Sequence, residues 1–489
     1  MGDNLKEEMI GAVAWTSIDR IGMQAVQCVV GLILARLISP ENYGLIGMVM
    51  IFLPVSTLLV DGGFGLALVR KQNADEMDFN TVFLFNIFVS VILYLFLFLA
   101  APLIAAFFNE PQLVNISRVL FLIILINSLY LIPIAKMQRN LDFRGSAKVN
   151  IFSILCSGII SVILAFSGFQ VWALVLQQVL FHFFRLIIFQ YYVKWKPKFM
   201  FSFRVIRDMG AFSLHLLGTN VLNAVFNQIY IVILGKFYSK YETGLYTQAN
   251  KLNETTNSTF QTILVGSTYS LLVKIQDDEE RFRRVYRGIA SKISIVTFPF
   301  MFVLVSVAFP LIFVLYSEIW VKAVPYFQLL TLSALFAPLY GLNVNALNAR
   351  GKSNITFRVE IIKKTLILIS VLICFRWGIM AMLTGYIAAC YIAYFISMIY
   401  LKLNLKHKLS HQIADFVGCI GVGLVLALSN TGISFLIENN YLLIALQLTA
   451  SAIIYLIFVR LFYNELFSQA LHFVFEKQNS KKTTDETVI

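Results

Sequence analysis

Arg36 to Leu45 reads RLISPENYGL, and two hundred residues further on Lys236 to Leu245 reads KFYSKYETGL. Extended back by three residues, the two stretches align without a gap. The matched pairs are Ile33/Ile233, Leu34/Leu234, Ala35/Gly235, Arg36/Lys236, Ser39/Ser239, Gly44/Gly244 and Leu45/Leu245. In both copies a long apolar segment runs into a short polar turn, and the glycine lies at the opening of the next apolar segment. The chain therefore reads as two copies of one unit. Duplicated membrane units with a site between them are a recurring transporter architecture.

The composition fixes the solvent. Apolar types make up 59% of the 489 residues, charged types 13%, and mean hydropathy is +0.78. Soluble domains carry about a quarter charged residues, whereas runs of about 20 apolar residues span bilayers. The 44 Phe and 21 Tyr suit a lipid-facing surface with interfacial belts. Met1 to Glu8 is mixed in charge and no small-residue cleavage site follows, so no cleavable signal peptide is expected. Cys28, Cys156, Cys374, Cys390 and Cys419 lie in apolar segments at spacings that suit neither zinc nor a redox pair; no metal site is expected.

Apolar runs and their polar punctuation predict an all-α membrane protein of about fourteen transmembrane helices. They lie near 10–38, 42–61, 80–107, 114–135, 147–166, 169–193, 206–235, 243–270, 288–316, 323–348, 356–375, 378–401, 412–429 and 440–463. The breakers are Pro40, Pro111, Ser167-Gly168, Gly351 and Asn430-Thr431-Gly432. Residues 1–203 form an N-lobe of helices 1–6, and 204–410 repeat it as a C-lobe of helices 7–12. Residues 411–463 hold the extra helices 13–14, and 464–489 form a cytoplasmic tail.

Charge sets the orientation. With the N-terminus inside, the outside loops hold only Arg36, Arg118, Lys236, Lys240, Lys322 and Arg376 of the 39 basic residues. Most of the rest, including Arg144, Lys196, Arg284 and the Arg350–Lys364 group, fall inside, as the positive-inside rule requires. Both termini are expected in the cytoplasm. The net charge of +13 is then a topology signal, with basic loops set against anionic headgroups. Nucleic acid is excluded as a partner, because the cations are scattered over short segments with no folded domain to organise them.

Catalysis has no visible home. There is no GxxxxGK[ST], HExxH or GxSxG stretch. The outer loops are too short for the external carboxylate-bearing domain of a glycan polymerase or ligase.

What remains is polarity inside the spans. Thr16, Arg20, Gln24, Gln27 and Gly31 follow one face of helix 1, with Asp19 about 100° away from Arg20. Helix 6 carries Gln178, His182 and Arg185, and helix 7 carries Asn220, Asn223 and Asn227. Helix 8 offers Gln248, Lys251 and Thr255 beside Glu254, and helix 10 Asn343, Asn345 and Asn348. A charge at the bilayer centre costs about 2.5–3.5 kcal/mol on insertion scales, so such groups face a cavity or a partner. Arg20, Gln24, Gln27, His182, Arg185, Asn220, Asn227 and Lys251 are the expected cavity lining. Competing readings are a structural Arg20–Asp61 pair, an interfacial Arg185, mutual neutralisation of Lys251 and Glu254, and interhelical asparagine bonds.

ARLISPENYGLIGM (35–48), LVDGGFGLALVRK (59–71), Phe107-Phe108 with Pro111, QRNLDFR (138–144) and VWALVLQQ (171–178) resemble the polysaccharide-transport group of lipid-linked oligosaccharide flippases. That group belongs to the superfamily of the multidrug/toxin extruders and the lipid II flippase. Gln170 departs from the glycine usual before the valine–tryptophan pair. The resemblance implies translocation of an undecaprenyl-diphosphate-linked glycan across a bacterial inner membrane, in contact with membrane lipids and with polysaccharide polymerase machinery. No cofactor is implied. Asp19, Asp61 and Glu254 are the acids available for proton or sodium coupling. The alternative is a cation-coupled exporter of small amphipathic molecules, whose cavity should be acidic; here the intramembrane balance leans cationic. A membrane scaffold would leave the repeat and the charged stripes unexplained.

Overall fold

The computed structural model describes residues 2–71, 73–266, 268–405 and 409–463. The tail assigned to 464–489 and the turn bearing Lys406 and Lys408 lie outside the described residues. Among those described, every regular element is helical. Eleven helical stretches are long and apolar enough to cross a membrane. The other three expected segments also form helices. Two of them are too polar to stand out by hydropathy: one reads TQANKLNETTNST from Thr247 to Thr259, and the other holds Arg358, Glu360, Lys363 and Lys364 within two turns. The chain divides into two compact units, Met1–Gln248 and Ala249–Ile489.

In the first unit α1 (Gly2–Leu37) packs along α8 (Phe143–Phe166), which in turn packs on α9 (Val171–Val193). Fully buried Ser153, Ser157 and Ser161, one turn apart on α8, keep that helix thin enough for close approach. The Ser161 hydroxyl crosses to the Ala173 carbonyl of α9 at 2.8 Å. The second expected span is divided into α2 (Pro40–Met50) and α3 (Phe52–Asp61), followed by the short α4 (Phe64–Arg70). Between α3 and α4 the backbone turns through Gly62 at φ 56° and Gly63 at φ 81°, conformations that glycine adopts without steric cost. Next, α5 (Glu76–Phe108) opens with a reciprocal Asp75/Asp78 capping box and runs for 33 residues, about 50 Å. Beyond α6 (Leu113–Leu120), α7 (Leu122–Arg139) returns along α5, joined to it by a 3.0 Å Ser90–Ser128 hydrogen bond. An extended stretch then leads to α10 (Phe203–Phe237) and α11 (Lys240–Phe260).

The duplicated motif meets itself. Pro40 and Lys240 each start a helix after the shared serine, Ser39 or Ser239, and the two opening turns cross at Gly44 and Gly244. A Cβ added to Gly44 would overlap the Lys240 carbonyl, and one added to Gly244 would overlap the Pro40 carbonyl. Only glycine permits this approach of two backbones.

The second unit contains α12 (Thr268–Val273), α13 (Glu279–Ser306), α14 (Ala308–Tyr316), α15 (Val324–Ser333), α16 (Ala337–Ala349), α17 (Ser353–Cys374), α18 (Ile379–Leu405), α19 (Leu409–Ser434) and α20 (Asn440–Phe462). Aromatic rings stack within its largely aliphatic core. Phe298 stacks on Phe416 at 5.7 Å between ring centres, and Phe336 on Tyr394 at 4.7 Å.

Several expected boundaries move. Helix 8 is not one rod: α11 passes into a π-turn at Gln261–Val265 before α12, and Asn345 donates to the Val265 carbonyl at 3.1 Å where the regular ladder is interrupted. The ninth segment breaks at Val307 and the tenth at Ala334–Phe336. Asn430-Thr431-Gly432 is no turn, since α19 continues to Ser434. Asn430 is fully buried and joins three helices: its side chain accepts from Ser451 of α20 and donates to Ser306 of α13, while its backbone carbonyl accepts from Gln447 of α20. Those bonds satisfy an amide that would otherwise favour a chain reversal.

Candidate functional site

On α1 the polar stripe divides between two faces. Asp19 turns toward α8, where its carboxylate accepts from the Asn150 amide at 2.9 and 3.2 Å. Arg20, Gln24 and Gln27 are exposed. Arg20 makes no ion pair among the described residues, and Asp61 is engaged elsewhere: its Oδ1 accepts the Gly65 backbone N–H at 3.0 Å, tying down the start of α4. The competing reading, a structural pair of Arg20 with Asp61, does not form. The α1 stripe thus presents one cation and two amides on a helix whose opposite side is fixed to α8.

A second cluster forms where α9 meets α7. His182 Nδ1 lies 2.6 Å from the hydroxyl of buried Tyr130, and one Arg185 nitrogen reaches the same hydroxyl at 3.5 Å. The guanidinium carbon sits 5.0, 5.3 and 5.6 Å from the ring centres of Tyr130, Phe181 and Phe189. These distances lie within the range of cation–π attraction. Aromatic faces hold the guanidinium in place but do not cancel its charge. Its Nε is buried without a hydrogen-bond partner, and no carboxylate pairs with Arg185 among the described residues. A guanidinium with an open N–H in such a setting can take an acceptor oxygen, and a planar fork suits phosphate.

Of the remaining expected residues, Asn220 is half-buried and Asn227 exposed on α10. Lys251 and Glu254 are exposed on α11, with Glu254 accepting from Asn250 at 2.9 Å. The asparagines of the tenth segment are interhelical bonds: Asn343 links Tyr286 to Ser397, Asn345 reaches Thr268, and Asn348 accepts from Thr356.

Sequence reasoning missed two features. Tyr130, which joins His182 to Arg185, carries no local signal; its role arises from packing between segments some fifty residues apart. The second feature is a polar cavity of about 100 Å³ in the second unit, lined in part by Asn253, Asn257, Tyr340, Lys363 and Cys390. Tyr340 donates to Glu360 at 2.8 Å and Lys363 lies 4.5 Å from the Tyr340 ring centre. The amide oxygens of Asn253 and Asn257 are buried there without a partner. Lys363 was expected among the inside loops, but ten residues after Ser353 it lies about 15 Å along α17. Glu360 and Lys363, three apart in an expected span, were the available signal.

Arg20 and Arg185 thus place two cations on candidate spanning helices of an all-helical membrane protein. The chain belongs to the family described as polysaccharide biosynthesis protein, which matches residues 33–325. It is similar to the teichuronic acid biosynthesis protein TuaB of Bacillus subtilis (strain 168), 24% identical over 356 residues, which are 72% of this chain and 74% of that one. Similarity extends to the succinoglycan biosynthesis transport protein ExoT of Rhizobium meliloti (strain 1021), 25% identical over 321 residues, 66% of this chain and 65% of that one. Among solved structures, the lipid II flippase MurJ in an inward closed conformation shares the fold. The TM-score is 0.71 at 18% identity, covering 93% of this chain and all of that one.

Proposed function

We propose that this protein flips undecaprenyl-diphosphate-linked oligosaccharide units across a bacterial inner membrane by alternating access, for polysaccharide or lipopolysaccharide assembly. The observation that carries the reading is the pair of guanidiniums on spanning helices, Arg20 and Arg185, neither in an ion pair among the described residues. A diphosphate headgroup is the anion such groups fit, because Arg grips phosphate oxygens in bidentate fashion. Amides on α1 and α10, Gln24, Gln27, Asn220 and Asn227, suit sugar hydroxyls. Family membership and relatives named for glycan biosynthesis and transport support the same cargo. A multidrug-type cavity would need acids facing the substrate. Asp19 and Asp61 instead bind Asn150 and the Gly65 amide, which leaves Glu254 as the more open of the three acids available for proton or sodium coupling. The polypeptide itself performs no bond chemistry in this reading, and glycan polymerase machinery would consume the product outside.

Arg20 provides the test. Arg20→Glu should abolish export, with lipid-linked repeat units accumulating on the cytoplasmic leaflet at normal protein abundance. Arg20→Lys should retain part of the activity, because a point charge replaces a two-pronged donor. Normal export by a well-expressed Arg20→Glu protein would remove the α1 stripe from the mechanism.

The reading includes fourteen spans, two six-helix lobes and both termini in the cytoplasm. Single cysteines at positions 144, 196 and 284 should label from the cytoplasm, and those at 110, 317 and 439 from outside. Cytoplasmic labelling at position 110 would refute this topology.

A further inference from the structure

The stretch between α9 and α10, KWKPKFMFS (194–202), forms no helix, yet it is fixed at several points. Gln190 donates to the Trp195 carbonyl at 3.2 Å, and the Trp195 ring N–H donates to Glu76 at 3.1 Å. Two backbone N–H groups then dock on the opening turns of α5: Lys198 on the side-chain Oδ1 of Asn80 at 2.6 Å, and Ser202 on the Thr81 hydroxyl at 3.1 Å. Asn80 and Thr81 are fully buried, so two polar side chains of a spanning helix are committed to holding this stretch.

What the stretch displays is amphiphilic. Lys194, Lys196 and Lys198 are exposed at every second position. Phe199 and Phe203 follow at 98% and 80% exposure, with Phe201 between them, leaving a large apolar surface uncovered within the protein. With α5 they wall a groove of about 850 Å³, reached by Lys198 at one end and lined along α5 through Ile87, Phe88 and Val91. Asn80, where Lys198 is anchored, and Val91 are eleven residues apart, about 16 Å along the helix. That depth is about half of a 30 Å hydrocarbon core, one leaflet. The charge bias places the lysine end at the cytoplasmic surface, where lipids are anionic.

We infer that this groove is a binding site for one anionic phospholipid of the cytoplasmic leaflet, its acyl chain along α5 and its phosphate at Lys196 and Lys198. The one-leaflet depth fits an acyl chain and is too short for a polyprenyl chain. The cationic rim gives the site its preference over the zwitterionic lipid that would otherwise fill it. The inference is independent of which cargo the protein moves.

The test uses the purified full-length protein and native mass spectrometry with phosphatidylglycerol, phosphatidylcholine and undecaprenyl phosphate in turn. Phosphatidylglycerol should be retained in preference to phosphatidylcholine. Lys196→Gln and Lys198→Gln should each lower that retention about fivefold, as expected for roughly one interfacial lysine contact. Phe199→Ser with Phe203→Ser should lower retention of both phospholipids, and Arg376→Gln, in the second unit, should change nothing. All of these positions are exposed, so the variants should remain monodisperse. Equal retention of the two phospholipids, or unchanged retention in the lysine variants, overturns the inference. Stronger retention of undecaprenyl phosphate, lost in the same variants, overturns it in favour of a carrier-lipid site.

Discussion

Arg185→Ala should reduce glycan export roughly ten- to a hundredfold, the rate equivalent of losing a charged hydrogen bond to substrate at about 1.5–3 kcal/mol. Its aromatic surroundings make the expectation specific. Tyr130, Phe181 and Phe189 hold the guanidinium by ring faces, and among the described residues no carboxylate loses its counter-ion when the side chain is removed. Protein abundance should therefore fall much less than export. Arg185→Lys should recover little, because an ammonium lacks the planar fork and stacks less well on rings. Tyr130→Phe, which removes the hydroxyl bonded to His182, should weaken export by less than Arg185→Ala does. Lipid-linked repeat units on the cytoplasmic leaflet, normalised to membrane-inserted protein, provide the measurement. Parallel loss of protein and export would make Arg185 a packing residue.

The largest effect on folding should come from Gly44→Leu or Gly244→Leu. Overpacking within a core typically costs about 1–3 kcal/mol, and here the obstruction is backbone, which cannot rotate away as a side chain can. Each variant should lose most of its monodisperse yield in a detergent thermal-shift assay, and even Gly44→Ala should be destabilised, because the first added carbon already overlaps the Lys240 carbonyl. Gly288→Ala is the control. It lies in open space on α13, and alanine there should raise stability by about 0.8–1 kcal/mol through helix propensity. If Gly44→Leu matched the parent in midpoint and yield, the crossing would not exist in the folded protein.

The contrast between these residues marks what the sequence could reveal. The all-helical class, eleven of the spans, the matched turns at Gly44 and Gly244 and the breakers at Pro40, Pro111, Gly168 and Gly351 were legible because hydropathy and backbone chemistry are local properties. The breaks at Val307 and Ala334 were not read, although Pro310 and Pro338 stand in the first turns of the helices that follow them; the π-turn after Phe260 was not legible, since its freed Val265 carbonyl is satisfied by Asn345 of a distant helix. Asn430 misled for a related reason: an asparagine near a glycine is a turn signal in water, but among α13, α19 and α20 its amide binds other helices. In the candidate site, Arg20 and Arg185 were visible as charges out of place. The role of Tyr130 depended on distant packing, and Lys363 was obscured by the basic cluster that precedes it.

The crossing at Gly44 and Gly244 also bears on descent. Each strand of the contact does to the other what the other does to it: the first glycine faces the second copy's helix start, and the second glycine faces the first copy's. Reciprocity of this kind is the signature of an isologous interface between identical subunits. A half-length ancestor carrying one such turn could have paired with a second copy of itself through the same glycine, before fusion placed both copies on one chain. The Ala35/Gly235 and Arg36/Lys236 differences would then record divergence after fusion, whereas the glycines stayed because replacing either one closes the joint for both.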